Sequence, residues 1–170
     1  VVTDNKVYDG NTTATISSAS VASLIELGDT VTVSSSSYVA SFATSTAGNG
    51  INVNVTGLSL AGSEASKYNL AATSTGSANI TRATVNVTAS TTLSKVYGDT
   101  DPSLTYSDSG LLPGNSFTGS LTRATGENVG TRAITQGTLS ALPNYDISFT
   151  GANLTITARP IAVTASTGSK

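Results

Sequence analysis

The chain has 170 residues, a formal net charge of −2 and 11% charged residues, where ordinary globular proteins have roughly 25%. It has no Cys and no His, which excludes disulfides, Cys- or His-based metal sites and the commonest nucleophiles and bases of enzymes. The near-neutral charge leaves no basic surface for nucleic acid or an anionic membrane, and no apolar run approaches the roughly 20 residues of a membrane span. No signal peptide is visible, so the sequence has the character of an interior piece of a longer protein.

Apolar residues alternate with Thr and Ser, which together make about a third of the chain. A strand with one buried face requires this alternation, and β-branched Thr suits the exposed face. Turn residues such as Gly28-Asp29 and Pro113-Gly114 separate the segments, so the pattern predicts a mostly β chain. The predicted strands are Thr30–Ser34, Ile51–Val55, Thr84–Ala89, Phe117–Leu121, Ile147–Phe149, Leu154–Ile156 and Ile161–Ala165.

Helical signals occur in two short segments. Val21–Leu27 is compatible with two helical turns or with a strand and a bulge, and Ser63–Lys67 with one turn that Ser63 caps. Neither segment is long enough to be a stable helix without tertiary packing.

The chain repeats its motifs once, in the same order. Lys-Val-Tyr occurs at residues 6–8 and again at 95–97, followed by Asp-Gly in the first copy and by Gly-Asp in the second. We therefore expect two homologous modules and the first strand of a third. The other matching pairs are Lys67–Leu70 with Asn144–Ile147, Ala78–Thr81 with Ala152–Thr155, and Ala83–Ser90 with Arg159–Ser166.

These repeats predict the module boundaries. Residues 1–81 form the first module, whose opening strand is truncated, and residues 82–157 form the second; residues 158–170 are the first strand of a following module or a tail. Residues 81–84 are all that separates the strand patterns at the first boundary, and four extended residues span at most about 14 Å. A connection of that length is not a free hinge, so we expect modules placed end to end rather than a compact two-domain globule.

The second half, KVYGDTDPSLTY followed by GSLTRATGENVG and NYDISFTGANLTIT, resembles the MBG domain of the YGX type. The first half, KVYDGNTTAT followed by GDTVTV and GLSLAGSEASKYNL, resembles the YDG domain. These domains are repeated modules of very large bacterial surface and secreted proteins, including filamentous-haemagglutinin-like adhesins. The resemblance implies small β-grasp-like modules, an extracellular location and no catalytic residues to transfer. The number of strands alone leaves an immunoglobulin-like β-sandwich open.

We interpret the recurring polar motif as a turn that each module needs directly after its opening strand. Gly supplies a positive φ or a close backbone approach, Asp accepts hydrogen bonds from downstream amides, and the Tyr ring packs on its module. The motif comprises Lys6, Tyr8, Asp9, Gly10, Lys95, Tyr97, Gly98 and Asp99, with Tyr68 and Tyr145 as a second recurring pair.

The sequence contains few residues that could form a catalytic site or a metal site. Neighbours such as Ser94-Lys95 arise by chance in a Ser-rich chain, so neither an enzyme nor a cofactor is expected. Asp99, Asp101 and Asp108 are the candidate ligands for Ca²⁺, because oxygen ligands at alternate positions can hold this ion. The full calcium-loop pattern is absent, and the alternative is a polar turn in which Asp99 and Asp101 cap backbone amides.

Two further features concern contacts and cross-links. Tyr38 and Tyr106 lie outside the recurring tyrosine pairs and are the candidates for contact with a ligand. An intramolecular isopeptide bond, as in some pilus and adhesin modules, would need a buried Lys beside Asn or Asp and a second acid. Lys6 and Lys95 recur in a polar turn, which favours the surface and argues against such a bond.

Two functions are compatible with these features. The first is a non-catalytic extracellular spacer, in which monomeric stalk modules of a large bacterial adhesin contact neighbouring repeats and give an extended semi-rigid rod. The second is a binding module whose loops contact a polysaccharide or a host or matrix protein. A cluster of exposed aromatic residues in Val31–Asn49 would favour the second function. Neither function involves nucleic acid or insertion into a membrane.

Overall fold

The computed structural model describes residues 1–21 and 25–165, and the prediction of a mostly β chain is confirmed. One compact unit comprises Val1–Ala83 together with Pro143–Asp146, and the other comprises Thr84–Leu142 with the chain from Ile147 onward. Part of the segment Val21–Leu27, residues 22–24, lies outside the described residues, and the rest of it contains no helix or strand. No helix in the described part of the chain has the length and apolar character to cross a membrane.

Short strands make up most of the first unit. In chain order they are β1 (Val2–Thr3), β2 (Lys6–Val7), β3 (Ile16–Ser18), β4 (Thr32–Ser34), β5 (Val39–Phe42), β6 (Gly48–Thr56), β7 (Ser59–Ala61) and β8 (Ser74–Thr81). A four-stranded sheet has the order β2-β8-β6-β5, in which β2 runs parallel to β8 and the other neighbours are antiparallel. Two-stranded sheets form from β1 with β3 and from β4 with β7.

The core of the first unit lies on one face of the four-stranded sheet. Successive side chains on β6 point to opposite faces, so Val53 and Val55 are fully buried while Asn52 and Asn54 are exposed. Phe42 on β5, Ile80 on β8 and two alanines complete the cluster of buried residues around them, together with Ala14. The alternation of apolar and polar residues thus predicts which side of these strands is buried.

The second unit contains a related four-stranded sheet and a three-stranded one. The remaining strands are β9 (Ala83–Ala89), β10 (Ser94–Val96), β11 (Tyr106–Ser109), β12 (Thr122–Arg123), β13 (Gly130–Thr135), β14 (Tyr145–Thr150) and β15 (Ala152–Thr157). The larger sheet has the order β10-β15-β13-β12 and the smaller one β11-β9-β14. As predicted, Val85 and Val87 share one buried face of β9.

The two four-stranded sheets repeat the same pairing. Lys6 lies opposite Ile80 in the parallel pair of the first unit, and Lys95 lies opposite Ile156 in that of the second. By this register Thr81 is equivalent to Thr157. Sequence similarity instead aligns Ala78–Thr81 with Ala152–Thr155, which makes Thr81 equivalent to Thr155, two residues earlier. The letter match is therefore wrong, because strand pairing and not local similarity decides which residues are equivalent. The β-grasp-like arrangement stays a prediction.

The predicted strand Phe117–Leu121 is wrong, because this segment makes only one isolated pairing, between Thr118 and Ser140. Gly119 has a φ of 75°, which is outside the extended region, and a Cβ placed on it would lie 2.1 Å from the carbonyl oxygen of Thr138. The close approach of the two backbones requires a glycine here and interrupts the strand.

The predicted helical turn exists as a 3-10 helix over Ala65–Lys67, but its predicted cap is wrong. Glu64 occupies the N-cap position and makes no side-chain capping bond. The Ser63 hydroxyl donates to Glu64 Oε2 at 2.6 Å, and that oxygen also accepts from the Thr30 amide at 2.8 Å. Ser63 therefore helps to hold Glu64 against a neighbouring segment and does not cap the helix.

Ile80→Ala is expected to lower the free energy of unfolding of the first unit by about 2–5 kcal/mol, because it removes a fully buried side chain and leaves a cavity. Ile80 is 1% exposed, whereas Val39 on the edge strand of the same sheet is 67% exposed. Val39→Ala is the matched control and should cost less than about 0.5 kcal/mol. Denaturant unfolding of the full chain measures both, and equal losses would contradict the placement of the core.

Candidate functional site

The polar motif of the first unit is organised around the ammonium group of Lys6. From β2, Lys6 Nζ donates to Asp9 Oδ1 at 2.7 Å and to Asn11 Oδ1 at 3.0 Å. The carbonyl oxygens of Asn11 and Thr13 also accept, at 2.8 and 3.1 Å. An ammonium group has three N–H donors, so these acceptors saturate it and wrap the loop around the side chain.

The backbone of this loop has the features that the motif predicts. Gly10 has a φ of 80°, and Asp9 Oδ1 accepts from the Asn11 amide at 3.1 Å. Asn11 Oδ1 accepts in the same way from the Thr13 amide at 2.9 Å. Both predicted roles, the left-handed glycine and the aspartate bonded to its own downstream amide, are confirmed in this copy.

Lys95, the equivalent lysine of the second unit, is buried, so the expectation that it lies on the surface is wrong. Its side chain is 4% exposed, and its Nζ lies 2.7 Å from Asp101 Oδ1 and 2.5 Å from Glu127 Oε2. The carbonyl oxygen of Asp99 accepts a third bond at 3.1 Å. Two carboxylates and a carbonyl compensate the loss of water around the ammonium, which is why a lysine is tolerated beneath a polar loop.

Arg123 completes this ion-pair cluster, which we define as Lys95, Asp101, Arg123 and Glu127. Its guanidinium donates to Asp101 through Nε to Oδ2 at 2.6 Å and through Nη2 to Oδ1 at 3.1 Å, and it also contacts Glu127 Oε1. Its Nη1 donates to the carbonyl oxygens of Ala124 and Gly126 at 2.9 and 2.8 Å. The planar guanidinium thereby ties both acids to the loop that follows β12.

The pairing shifts each pKa in the cluster in the direction that favours charge. Hydrogen bonds from Arg123 and Lys95 lower the pKa of Asp101 from 3.8 to about 2, and hydrogen bonds from Lys95 and Arg123 lower the pKa of Glu127. The same contacts raise the pKa values of Lys95 and Arg123. All four groups are therefore ionised at neutral pH, and the cluster holds the loops together without offering an uncharged base or nucleophile.

The swapped order of Gly and Asp in the second copy changes what the aspartate does. Gly98 has a φ of 86°, and the Asp99 carboxylate pairs with the guanidinium of Arg159. Arg159 Nε also donates to the carbonyl oxygen of Tyr97 at 2.8 Å. The glycine has a positive φ in this copy too, while the Asp99 carboxylate pairs with a cation that follows β15.

The three candidate calcium ligands have different surroundings. Asp99 pairs with Arg159, Asp101 belongs to the ion-pair cluster, and Asp108 is exposed on β11 opposite Val87. Among residues 1–21 and 25–165 no group of three acidic side chains is arranged to hold a metal ion. Ca²⁺ binding stays a prediction without a described ligand set.

The two candidate ligand-contact tyrosines are half-buried and have partners within their own units. Tyr38 packs against the core of the first unit, and its hydroxyl accepts from the Ile16 amide at 3.4 Å. The ring of Tyr106 lies edge-on to Phe117 with centroids 5.6 Å apart. Contact of either residue with a ligand stays a prediction.

The recurring tyrosines differ in their exposure. The Tyr68 hydroxyl donates to Asp29 Oδ2 at 2.8 Å and accepts from the Glu26 amide at 2.9 Å. Tyr145, its counterpart in the second copy, is buried and lies edge-on to Tyr8, with ring centroids 5.3 Å apart. Tyr97, the counterpart of Tyr8, is instead 47% exposed.

Arg123 and Glu127 are the site residues that reasoning from the sequence missed. They are four positions apart and of opposite charge, in a chain with 8 basic and 10 acidic residues. A search for residues of opposite charge four positions apart would have singled them out, since charged residues are few in this chain. Nothing local to these residues indicates that they lie beside Lys95, because that contact depends on the pairing of β12 with β13.

The repeated sheet and its lysine-centred loop define a protein of tandem, related β modules. Residues 1–76 match the family model of the YDG domain, and residues 85–155 match that of the MBG domain (YGX type). The chain therefore carries a YDG domain followed by an MBG domain of the YGX type, and neither domain is known as a catalytic family. A search of curated proteins finds no match, and a search of solved structures finds none either.

Acid is expected to destabilise the second unit through Asp101. Its pKa is lower in the folded chain, about 2 against 3.8, so the stabilisation is complete above the ordinary pKa and is lost as the pH falls through about 2. The melting temperature should therefore fall over this interval, and Asp101→Asn should lower it at neutral pH and flatten its dependence on acid. Asp108→Asn leaves the cluster intact and should keep the wild-type slope; a wild-type slope in Asp101→Asn would contradict the assignment.

Lys95 and Asp101 are close enough for an isopeptide bond, with Glu127 as the second acid, but their ionisation opposes it. The amine would have to be neutral to attack, and the carboxyl would have to be protonated to lose water. Since Arg123 keeps Asp101 ionised, we expect the intact mass of the purified chain to equal the sum of its residues plus one water. A mass lower by one further water, absent from Asp101→Ala, which has no carbonyl for the amine to attack, would show that the bond forms.

Proposed function

We propose that this chain is a pair of non-catalytic spacer modules from the extracellular stalk of a large bacterial surface adhesin. The observation that carries the proposal is the tandem repetition of one sheet topology by two domains that are consistent with repeat modules of surface proteins. Repeats of this kind act mainly by adding length, because each additional module adds a similar increment of folded chain.

The length of the connection supports a spacer. β8 ends at Thr81 and β9 begins at Ala83, so one residue, Arg82, separates two strands that belong to different sheets. A flexible Gly/Ser tether between domains needs many more residues than this. We infer from the short connection that successive modules have restricted freedom, as a semi-rigid stalk requires.

The outward-facing strand residues also favour a spacer over a binding module. On β9 and β15 the exposed positions alternate with the buried ones and are Thr and Asn, including Asn86, Thr88, Asn153 and Thr155. These side chains hydrate the surface without a strong electrostatic field. Residues 31–49, where exposed aromatics would have favoured binding, place Phe42 in the core and Tyr38 half against it.

The proposal assigns the chain to the bacterial cell surface or to a secreted protein. Its partners are neighbouring repeats of the same polypeptide, and it needs no cofactor, nucleic acid or inserted membrane segment. The rival function is contact with a polysaccharide or with a host or matrix protein through the loops, and it provides the alternative outcome of the test below.

Small-angle scattering of the full chain, compared with a variant that carries about eight Gly/Ser residues inserted after Arg82, tests the spacer function. We expect the insertion to broaden the distribution of intramolecular distances, because it introduces a flexible tether where the chain has none. Indistinguishable profiles would contradict the proposal. In the same preparation, a glycan array should show no selective binding; strong selective binding would favour the adhesin module instead.

A further inference from the structure

The second unit exposes an apolar surface beside its polar motif. Tyr97, Val129 and Ile161 line a shallow groove of about 550 Å³ with Asn128, Ala158 and Arg159. The three apolar residues are 47%, 56% and 86% exposed. These three exposed apolar side chains lie together on one surface, and such a group indicates an interaction site more strongly than single exposed apolar residues do.

The first unit shows what covers the equivalent surface there. Its segment Pro143–Asp146 belongs to that unit by its contacts, and it places the Tyr145 ring edge-on against Tyr8. The Ala47 amide donates to Asn144 Oδ1 at 3.0 Å, and the Ala83 amide donates to the Asn144 carbonyl oxygen at 3.0 Å. One Asn-Tyr turn thus satisfies two amides and buries a tyrosine.

Strand register identifies the corresponding positions in the second unit. The Tyr8 amide donates to Thr81 O and the Tyr97 amide to Thr157 O, so these two tyrosines are equivalent. Gly48 lies opposite Ile80 and Gly130 opposite Ile156, which makes Ala47 equivalent to Val129. Counting two residues beyond each threonine makes Ala83 equivalent to Arg159.

The segment after β15 has an uncovered apolar face. Residues 161, 163 and 165 correspond to Val85, Val87 and Ala89, which are buried on β9, the central strand of the three-stranded sheet. Ile161 and Val163 are instead 86% and 90% exposed, and residues 158–165 form no strand. The apolar residues of this alternating pattern are therefore buried on β9 and exposed in the segment after β15.

We propose that the surface formed by Tyr97, Val129 and Arg159 is a docking site for the Asn-Tyr turn of a following homologous module. Residues 159–165 then form the central strand of the three-stranded sheet in that module, as β9 does in the second unit. This inference rests on the proposed function of the chain as tandem modules. It specifies the residues through which one module contacts the next. The incoming Tyr ring packs edge-on against Tyr97, and the incoming Asn accepts from the amides of Val129 and Arg159.

The test is a three-module chain in which residues 91–165 are repeated once after Ser166, with the added copy's equivalent of Tyr97 changed to Phe so that the peptide containing Tyr97 is unique. Nitration of Tyr97, followed by peptide mass spectrometry, should be about tenfold slower than in the 170-residue chain, because the docked turn covers the ring. Substituting Ala for the third-copy equivalent of Tyr145 should restore the rate. Tyr106 serves as the internal control and should react at the same rate in all three chains.

A folded third copy, shown by an added cooperative unfolding transition, with an unchanged rate at Tyr97 would overturn the proposal. Protection of Tyr97 that rises with the concentration of the 170-residue chain would overturn it in favour of a second copy.

A second measurement does not depend on the added copy. Tyr145→Ala in the 170-residue chain should accelerate nitration of Tyr8 and not of Tyr97, and an unchanged rate at Tyr8 would remove the template for the docking site. The scattering test of the tether is independent of all these outcomes.

Discussion

Parallel pairing between the first and the last strand, in chain order, of each four-stranded sheet is the constraint on which each module depends. β2 pairs with β8 and β10 with β15 in the same register, so the first strand of each of these sheets is fixed only where the last strand lies beside it. That pairing places Lys6 and Lys95 at equivalent points, with their side chains under the loop that follows. The loops are ordered because each ammonium collects oxygen atoms from them, which neutral hydrogen bonds between flexible polar residues would do less strongly.

The sparse charges of this chain are concentrated where backbone order is hardest to obtain. Strand residues need little more than alternation, since the ladder satisfies their amides and carbonyls. The loops lack that ladder, and in the second unit Arg123 and Lys95 hold two acids and three backbone carbonyls between them. A low overall charge is therefore compatible with strong local electrostatics, because the few ions are paired at short distance and partly removed from water.

Sequence patterns were informative about strands and poor at contacts between loops. The alternation at Ile51–Val55 and Thr84–Ala89 identifies both the strands and their buried faces, because burial of one face is a local property of the pattern. The positive φ of Gly10 and Gly98 agrees with one of the two roles that the motif predicts for its glycine. Burial of Lys95 beside Glu127 was not predictable, since it arises from the pairing of strands distant in sequence. Phe117–Leu121 misled because its letters alternate, while the backbone contact at Gly119 interrupts the strand.

Closing a module with its two ends has a kinetic corollary. The hydrogen bond from Thr81 to Lys6 joins residues 75 positions apart, and that from Thr157 to Lys95 joins residues 62 apart. Contacts between residues so far apart in sequence form slowly, because the entropy cost of closing the intervening loop comes before the contacts stabilise the module. A polypeptide that emerges gradually from a ribosome or a translocation pore thus keeps each module open until both of its ends are free, so completed modules appear one by one as their termini clear the exit.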